Sequence, residues 1–162
     1  FCFGAGGSAR AVCSTLAAHG TKKIYITDLY NKYAALLGDE INKKFRPIAE
    51  VIPYEDKDKI YRCALECDVV MNHSGVGMFP HPEKSPANSD IFRPGHLAFD
   101  ATYNPDKTQF LKDAEAKGAA SLNGLGMLVH QGAIQFKMWT GHDEPVESMY
   151  RTVRQILAEM DA

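Results

Sequence analysis

Long apolar runs are missing from this 162-residue chain, and with them any candidate helical membrane span, which needs roughly 18–20 consecutive apolar residues. An excess of either charge is missing too. Eighteen Lys and Arg face twenty Asp and Glu, a formal net charge of −2, so there is no basic field to draw nucleic acid or an anionic membrane. Cysteine is sparse. Cys63 and Cys67 lie four apart with no second thiol or His pair at zinc-ligand spacing, and they read as free thiols rather than metal ligands. Repeats and low-complexity tracts are absent, and the apolar and charged fractions of 45% and 23% are those of an ordinary globular domain. No secretory leader opens the chain; the expectation is a soluble, cytosolic protein. There is also no Met before the apolar Phe1-Cys2-Phe3. That run is short for a strand of about five or six residues, and the expectation is that an upstream region is missing.

What is present is an alternation of short apolar strands with longer amphipathic helices, the pattern of a parallel sheet covered on both faces. Strands are expected over 1–3, 23–27, 49–53, 68–71, 97–101 and 119–122, and helices over 8–18, 33–45, 58–66, 107–117 and 124–139. A last helix opens near Glu144-Pro145 and carries Val146, Met149, Tyr150, Val153, Ile156, Leu157 and Met160 on one stripe. Such a stripe needs a partner surface, either this domain or the part expected upstream. The resulting fold is α/β: a doubly wound, mostly parallel six-stranded Rossmann-type sheet with helices on both faces. Residues 1–141 form the dinucleotide-binding domain and 142–162 the closing helix. The one long irregular segment, 73–94, holds four prolines, and a loop of that length in a compact domain is more often functional than idle.

Gly4-Ala5-Gly6-Gly7-Ser8-Ala9 fits G-x-G-x-x-G/A between a strand and a helix, the context that raises an otherwise weak pattern. Gly4 permits the tight turn, and Gly6 lets backbone approach a pyrophosphate. The small Ala9 brings helix and strand together. Gly7 and Ser8 stand at the helix N-terminus, whose free N–H groups and partial positive charge suit phosphate. Asp28 ends the second strand about 20 residues later, where a carboxylate holds the adenosine ribose hydroxyls. It would repel a 2′-phosphate, and no Arg follows it in Leu29-Tyr30-Asn31. NAD is therefore expected, with NADP left open because Lys32 lies nearby. The competing reading of Asp28 is a helix N-cap.

The second half carries a more specific likeness. Asp100-Ala101-Thr102-Tyr103-Asn104-Pro105-Asp106-Lys107-Thr108, running on to Phe110-Leu111, Ala114 and Gly118, resembles the D-x-x-Y-x-P-x-x-T-x-L-L-x-x-A-x-x-x-G stretch of shikimate dehydrogenases. Gly124 to Ala133, with Met127-Leu128-Val129 and Gln131-Gly132-Ala133, and the closing Trp139-Thr140-Gly141 look like that family's G-x-x-M-L-V-x-Q-G-A segment and aromatic–Thr-Gly end. With the glycine turn in front, three blocks in family order span nearly the whole chain. The resemblance implies a two-domain, nicotinamide-dependent oxidoreductase that interconverts 3-dehydroshikimate and shikimate, or acts on quinate, with a homodimer as an allowed assembly. It further implies that Gly124 and Met127 contact the nicotinamide and that Asn72 and Ser74 lie beside the dinucleotide. Tyr103 and Gln131 would meet the substrate. The chain departs from the family at His73-Ser74-Gly75 and at Asp28-Leu29-Tyr30, which bears on cofactor choice more than on fold.

Reduction of a ketone needs a proton donor near the developing alkoxide. In the family that duty falls to a Lys and an Asp of the N-terminal domain, and no residue here matches them. No catalytic residue and no metal ligand is therefore assigned, and His73 and His130 read as lining or surface groups. The chain is expected to bind dinucleotide without turning over. The alternative function is a non-catalytic dinucleotide-sensing module.

Overall fold

The computed structural model describes residues 1–160. Its strands are β1 (Cys2–Phe3), β2 (Ile24–Thr27), β3 (Ala49–Val51), β4 (Val69–Asn72), β5 (Leu97–Asp100) and β6 (Ala120–Leu122). Its helices are α1 (Gly7–Ala18), α2 (Asn31–Lys44), α3 (Lys57–Glu66), α4 (Gln109–Ala116), α5 (Leu125–Thr140) and α6 (Val146–Met160). The strands form one sheet in the order β3-β2-β1-β4-β5-β6, and every pairing is parallel. The expected "mostly parallel" sheet is thus wholly parallel.

The two-residue side-chain period of a strand divides the core between the two faces. Phe1, Phe3 and Val70 point to one side, where Ile60, Phe110 and Leu111 of α3 and α4 cover them. Cys2, Ile24, Ile26 and Met71 point to the other, under Ala9, Cys13 and Ala17 of α1 and Leu37 and Ile41 of α2. The order of the strands reverses between β1 and β4, and there the loops that leave the two carboxyl ends diverge to opposite faces. A crevice at such a switch point is where ligands of open α/β sheets bind.

Element boundaries shift by one or two residues where side chains cap the helices. The Asp56 carboxylate accepts from the Lys59 N–H, so α3 starts at Lys57. The Thr108 hydroxyl caps α4, which moves that start to Gln109 instead of 107. Of the long segment 73–94 only a 3-10 turn, Ser89–Ile91, is regular, yet it is anchored by Ile91 and Phe92, both buried among the core side chains.

The stripe on α6 packs on α5, where the Tyr150 ring meets His130 edge-on. No described residue of α6 is fully buried, so that helix covers its apolar side only in part. The side chain of Met160, expected on the stripe, lies outside the described residues.

Two glycines of α5 and its approach predict opposite outcomes. A Cβ on Gly124 would overlap the Ala101 carbonyl oxygen, whereas one on Gly132 would meet nothing within 4 Å. Gly124→Ala is expected to cost about 3 kcal/mol or more, since backbone must move. Gly132→Ala should gain about 0.5–1 kcal/mol of helix propensity. Urea unfolding of both variants checks this, and equal effects would refute the packing.

Candidate functional site

The glycine turn and the loop after β4 touch through their backbones. Gly4 has φ +93°, and a Cβ there would sit 2.7 Å from the His73 carbonyl and the Ser74 nitrogen, so both its conformation and its neighbours require glycine. Its N–H donates to Thr27 O at 2.8 Å, which joins the turn to the end of β2. The next residue donates onward, from Ala5 N–H to Asp28 Oδ2 at 2.8 Å, and the Tyr30 N–H donates to Asp28 Oδ1 at 2.8 Å. A carboxylate has about four lone-pair sites, so two remain for a ligand. Asp28 is not the cap of the following helix: α2 begins after Tyr30 and has no side-chain cap bond.

The first turn of α1 follows at once. Gly6 precedes it with no side-chain cap, and no acid stands in the turn. A Cβ on Gly6 or Gly7 would project into open space, which leaves the backbone N–H groups approachable. Ala9 is fully buried in the core cluster that includes Cys2 and Ile26. The turn therefore presents uncapped amides beside an anchored carboxylate, an arrangement suited to a diphosphate joined to a ribose.

Two cavities flank this turn. One is lined by Gly4, Ala5, Gly6, Asp28, Ser74 and the apolar Leu29, Tyr30, Val76 and Pro86. The other is lined by Ser8, Tyr103, Met127 and Leu128, by Met78 and Phe79 of the long loop, and by Val153, Ile156 and Leu157 of α6. His73 lines both.

Four of the expected contact residues take the following places. Asn72 is fully buried: its amide donates to Val76 O and Asp100 Oδ2, and its Oδ1 accepts from the N–H and hydroxyl of Ser74. Its side chain is spent on holding the loop, and Ser74 reaches a cavity only with its hydroxyl already donated. Gly124 is pressed against Ala101, its N–H donates to Thr102 O and its carbonyl accepts from Leu128, so it serves close packing. Gln131 is exposed on α5 and lines neither cavity; it stands one turn beyond Met127 on the same side of the helix.

Sequence reasoning missed what holds these loops. Asp100 is fully buried and accepts three bonds: from Asn72, from the Thr102 N–H at 2.9 Å and from the Thr108 hydroxyl at 2.7 Å. The signal was present in the spacing of Asp100 and Thr108 within one quoted motif. His73 was read only as lining. It is 9% exposed, its Nδ1 lies 3.1 Å from Ser8 Oγ, and burial pushes the imidazole from 6.5 down to about 4. Among the described residues no cluster of His, Cys, Asp or Glu could hold a metal ion, and no helix is long and apolar enough to cross a membrane.

Comparison with known proteins places these features. A family model described as the shikimate 5′-dehydrogenase C-terminal domain matches residues 124–154. The shikimate dehydrogenase (NADP(+)) of Methanopyrus kandleri is 37% identical over 155 residues, 95% of this chain and 53% of that protein. The enzyme of the same name from Desulforamulus reducens is 35% identical over 157 residues, 96% of this chain and 54% of that protein. The chain thus spans about half the length of the curated relatives it matches. Among solved structures, shikimate 5-dehydrogenase from Listeria monocytogenes, in complex with shikimate and NAD, superposes with a TM-score of 0.87 at 33% identity, covering 94% of this chain and 54% of that one. Quinate dehydrogenase from Corynebacterium glutamicum, in complex with NAD, gives 0.87 at 30% identity, covering 95% and 54%.

The buried imidazole has a pH signature. The folded state binds its proton less readily than the unfolded chain, so the contribution is complete above the unfolded value of 6.5 and is lost as pH falls toward about 4. Between about pH 7 and about pH 5 this amounts to about 2 kcal/mol. His96 is shifted the same way by burial, so the test is the difference between the parent protein and His73→Gln in urea unfolding at both pH values. Parallel losses in the two proteins would show that His73 contributes nothing.

Proposed function

The chain belongs to the shikimate/quinate dehydrogenase family, and from that premise we propose that it is the cofactor-binding half of an NAD(P)-dependent oxidoreductase that interconverts shikimate and 3-dehydroshikimate, or oxidises quinate. Residues 1–141 carry the dinucleotide, and α6 closes the far side of the second cavity. The residues present fit the cofactor: uncapped α1 amides at Gly6, Gly7 and Ser8, with open space over both glycines, face the diphosphate. Asp28 holds the adenosine ribose, and Met127 faces the nicotinamide end. When bound, the nicotinamide supplies hydride exchange with the ring alcohol or ketone.

What the chain's own groups do follows from their chemistry. Leu29 and Tyr30, both largely exposed at the rim of the first cavity, offer flat apolar surface to a base. Tyr103, part-exposed in the second cavity, offers a phenol that both donates and accepts toward a hydroxylated ring. The apolar Met78, Phe79 and Leu157 around it displace water from the reacting carbon. Among the described residues no Lys, Asp or Glu lines that cavity. On this reading the hydroxyl proton passes to a Lys or Asp supplied from outside these residues, and this chain by itself is expected to bind cofactor without oxidising shikimate or quinate. Reduced-nicotinamide absorbance checks this, and turnover at a rate typical of dehydrogenases would refute it.

NAD is the cofactor these side chains favour over NADP, although the two curated relatives above carry NADP(+) in their names. The observation that carries the reading is the Asp28 carboxylate, fixed by Ala5 and Tyr30 at the lip of a cavity that no Lys or Arg lines among the described residues. A 2′-phosphate there would meet a like charge, while the ammonium groups of Lys32 and Lys57 sit over the rings of Tyr33 and Tyr54. Fluorescence titration of the protein carrying this domain should show NADH binding at least about tenfold tighter than NADPH, one charge contact being worth about 1.5–3 kcal/mol. Asp28→Ser should weaken NADH and narrow the gap. Tighter binding of NADPH by the parent protein would overturn the assignment.

A further inference from the structure

Resting on the cofactor reading just given, we propose that His73 is a positioning residue for the dinucleotide diphosphate, acting through Ser8. Three independent observations meet at this side chain. Among the described residues it alone lines both the cavity at Asp28 and the cavity at Met127, so it stands where a ligand spanning the two must cross. Its backbone carbonyl abuts Gly4, and its N–H donates to Phe3 O at 2.7 Å, which fixes the residue to the carboxyl end of β1. Its Nδ1 lies 3.1 Å from the hydroxyl oxygen of Ser8, the second residue of α1.

The direction of that hydrogen bond follows from the other ring nitrogen. Nε2 is buried without a partner, beside the Phe99 ring at 5.5 Å between centroids. A neutral imidazole carries one N–H. With the proton on Nε2, a donor would be orphaned in an apolar setting, which folded proteins avoid more strictly than an unfilled acceptor. The proton therefore sits on Nδ1 and is donated to Ser8 Oγ. That fills an acceptor site of the hydroxyl and leaves its own proton free. Among the described residues Ser8 Oγ has no other partner, and it faces the second cavity in the first turn of a helix whose N-terminus has no side-chain cap. The O–H donates to a phosphate oxygen there, alongside the backbone N–H groups. A charged imidazolium is not required, since a neutral ring is sufficient to set the hydroxyl's orientation.

The test uses the full-length protein that carries this domain, with NADH and adenosine as separate probes in equilibrium titrations. Ser8→Ala and His73→Ala should each weaken NADH about tenfold, the loss expected of one hydrogen bond to a charged group, and leave adenosine unchanged because it has no phosphate. The double variant should be no weaker than Ser8→Ala alone, since both substitutions remove one relay. His73→Asn, whose amide nitrogen can replace Nδ1–H, should restore most of the affinity. If His73→Ala does not fold, Ser8→Ala and His73→Asn still decide the matter. Unchanged NADH affinity in Ser8→Ala, additive losses, or no rescue by Asn would overturn the relay while leaving the cofactor reading intact. No NADH binding by the parent protein would overturn both.

Discussion

The buried carboxylate of Asp100 is the constraint on which the rest of the cleft depends. A carboxylate withdrawn from water costs several kcal/mol unless its oxygens are bonded, and here three donors bond it: the Asn72 amide, the Thr102 N–H and the Thr108 hydroxyl. Each donor comes from a different segment at the carboxyl ends of β4 and β5, so one side chain fixes the exit of β4, the turn that leads to Tyr103, and the start of α4. Asn72 passes the constraint on to Val76 and Ser74, and the loop that carries His73 is thereby set against the glycine turn. The cleft is shaped from beneath by a polar network that a ligand does not touch.

Much of the architecture was legible in the chain because its period is visible. Ile24 and Ile26 on one face of β2 with Tyr25 on the other, or Ala9, Cys13 and Ala17 at helical spacing, announce strand and helix through burial alone. The alternation of strands and helices announced a doubly wound parallel sheet, and the right-handed crossover that joins parallel strands accounts for the order observed. Less legible was which polar residues face a ligand and which face each other. Asn72, after a strand and next to a loop, has the address of a binding residue, but its amide is consumed by Asp100 and Val76. Asp100 and Thr108 read as parts of a motif, while the bond between them is a fact of three dimensions. Periodicity reports burial, and polar partnerships across loops leave no period.

Glycine roles divide along the same line. Gly4 and Gly124 are both required by close backbone neighbours, but only the first requirement was legible, from its place in a phosphate-binding turn. In both, the neighbour is a backbone carbonyl just past the end of a strand, His73 after β4 for Gly4 and Ala101 after β5 for Gly124. The likeness of the chain to the Listeria and Corynebacterium dehydrogenases over nearly its whole length extends to the backbone course that makes such approaches necessary.

The placement of α6 carries a mechanical consequence. Val153, Ile156 and Leu157 supply one wall of the second cavity, yet none of the described residues of that helix is fully buried, and it leans on α5 through partial contacts such as Tyr150 with His130. The opposite walls come from the first turn of α1, the loops that follow β4 and β5, and the start of α5. The bonds of Asp100 and Asn72 tie those loops to the ends of the strands. Elements with few buried contacts open at the least free energy. The cleft therefore joins a stiff floor to a compliant roof, and thermal excursions of the roof change the width of the entrance while the amides and carboxylate below keep their spacing.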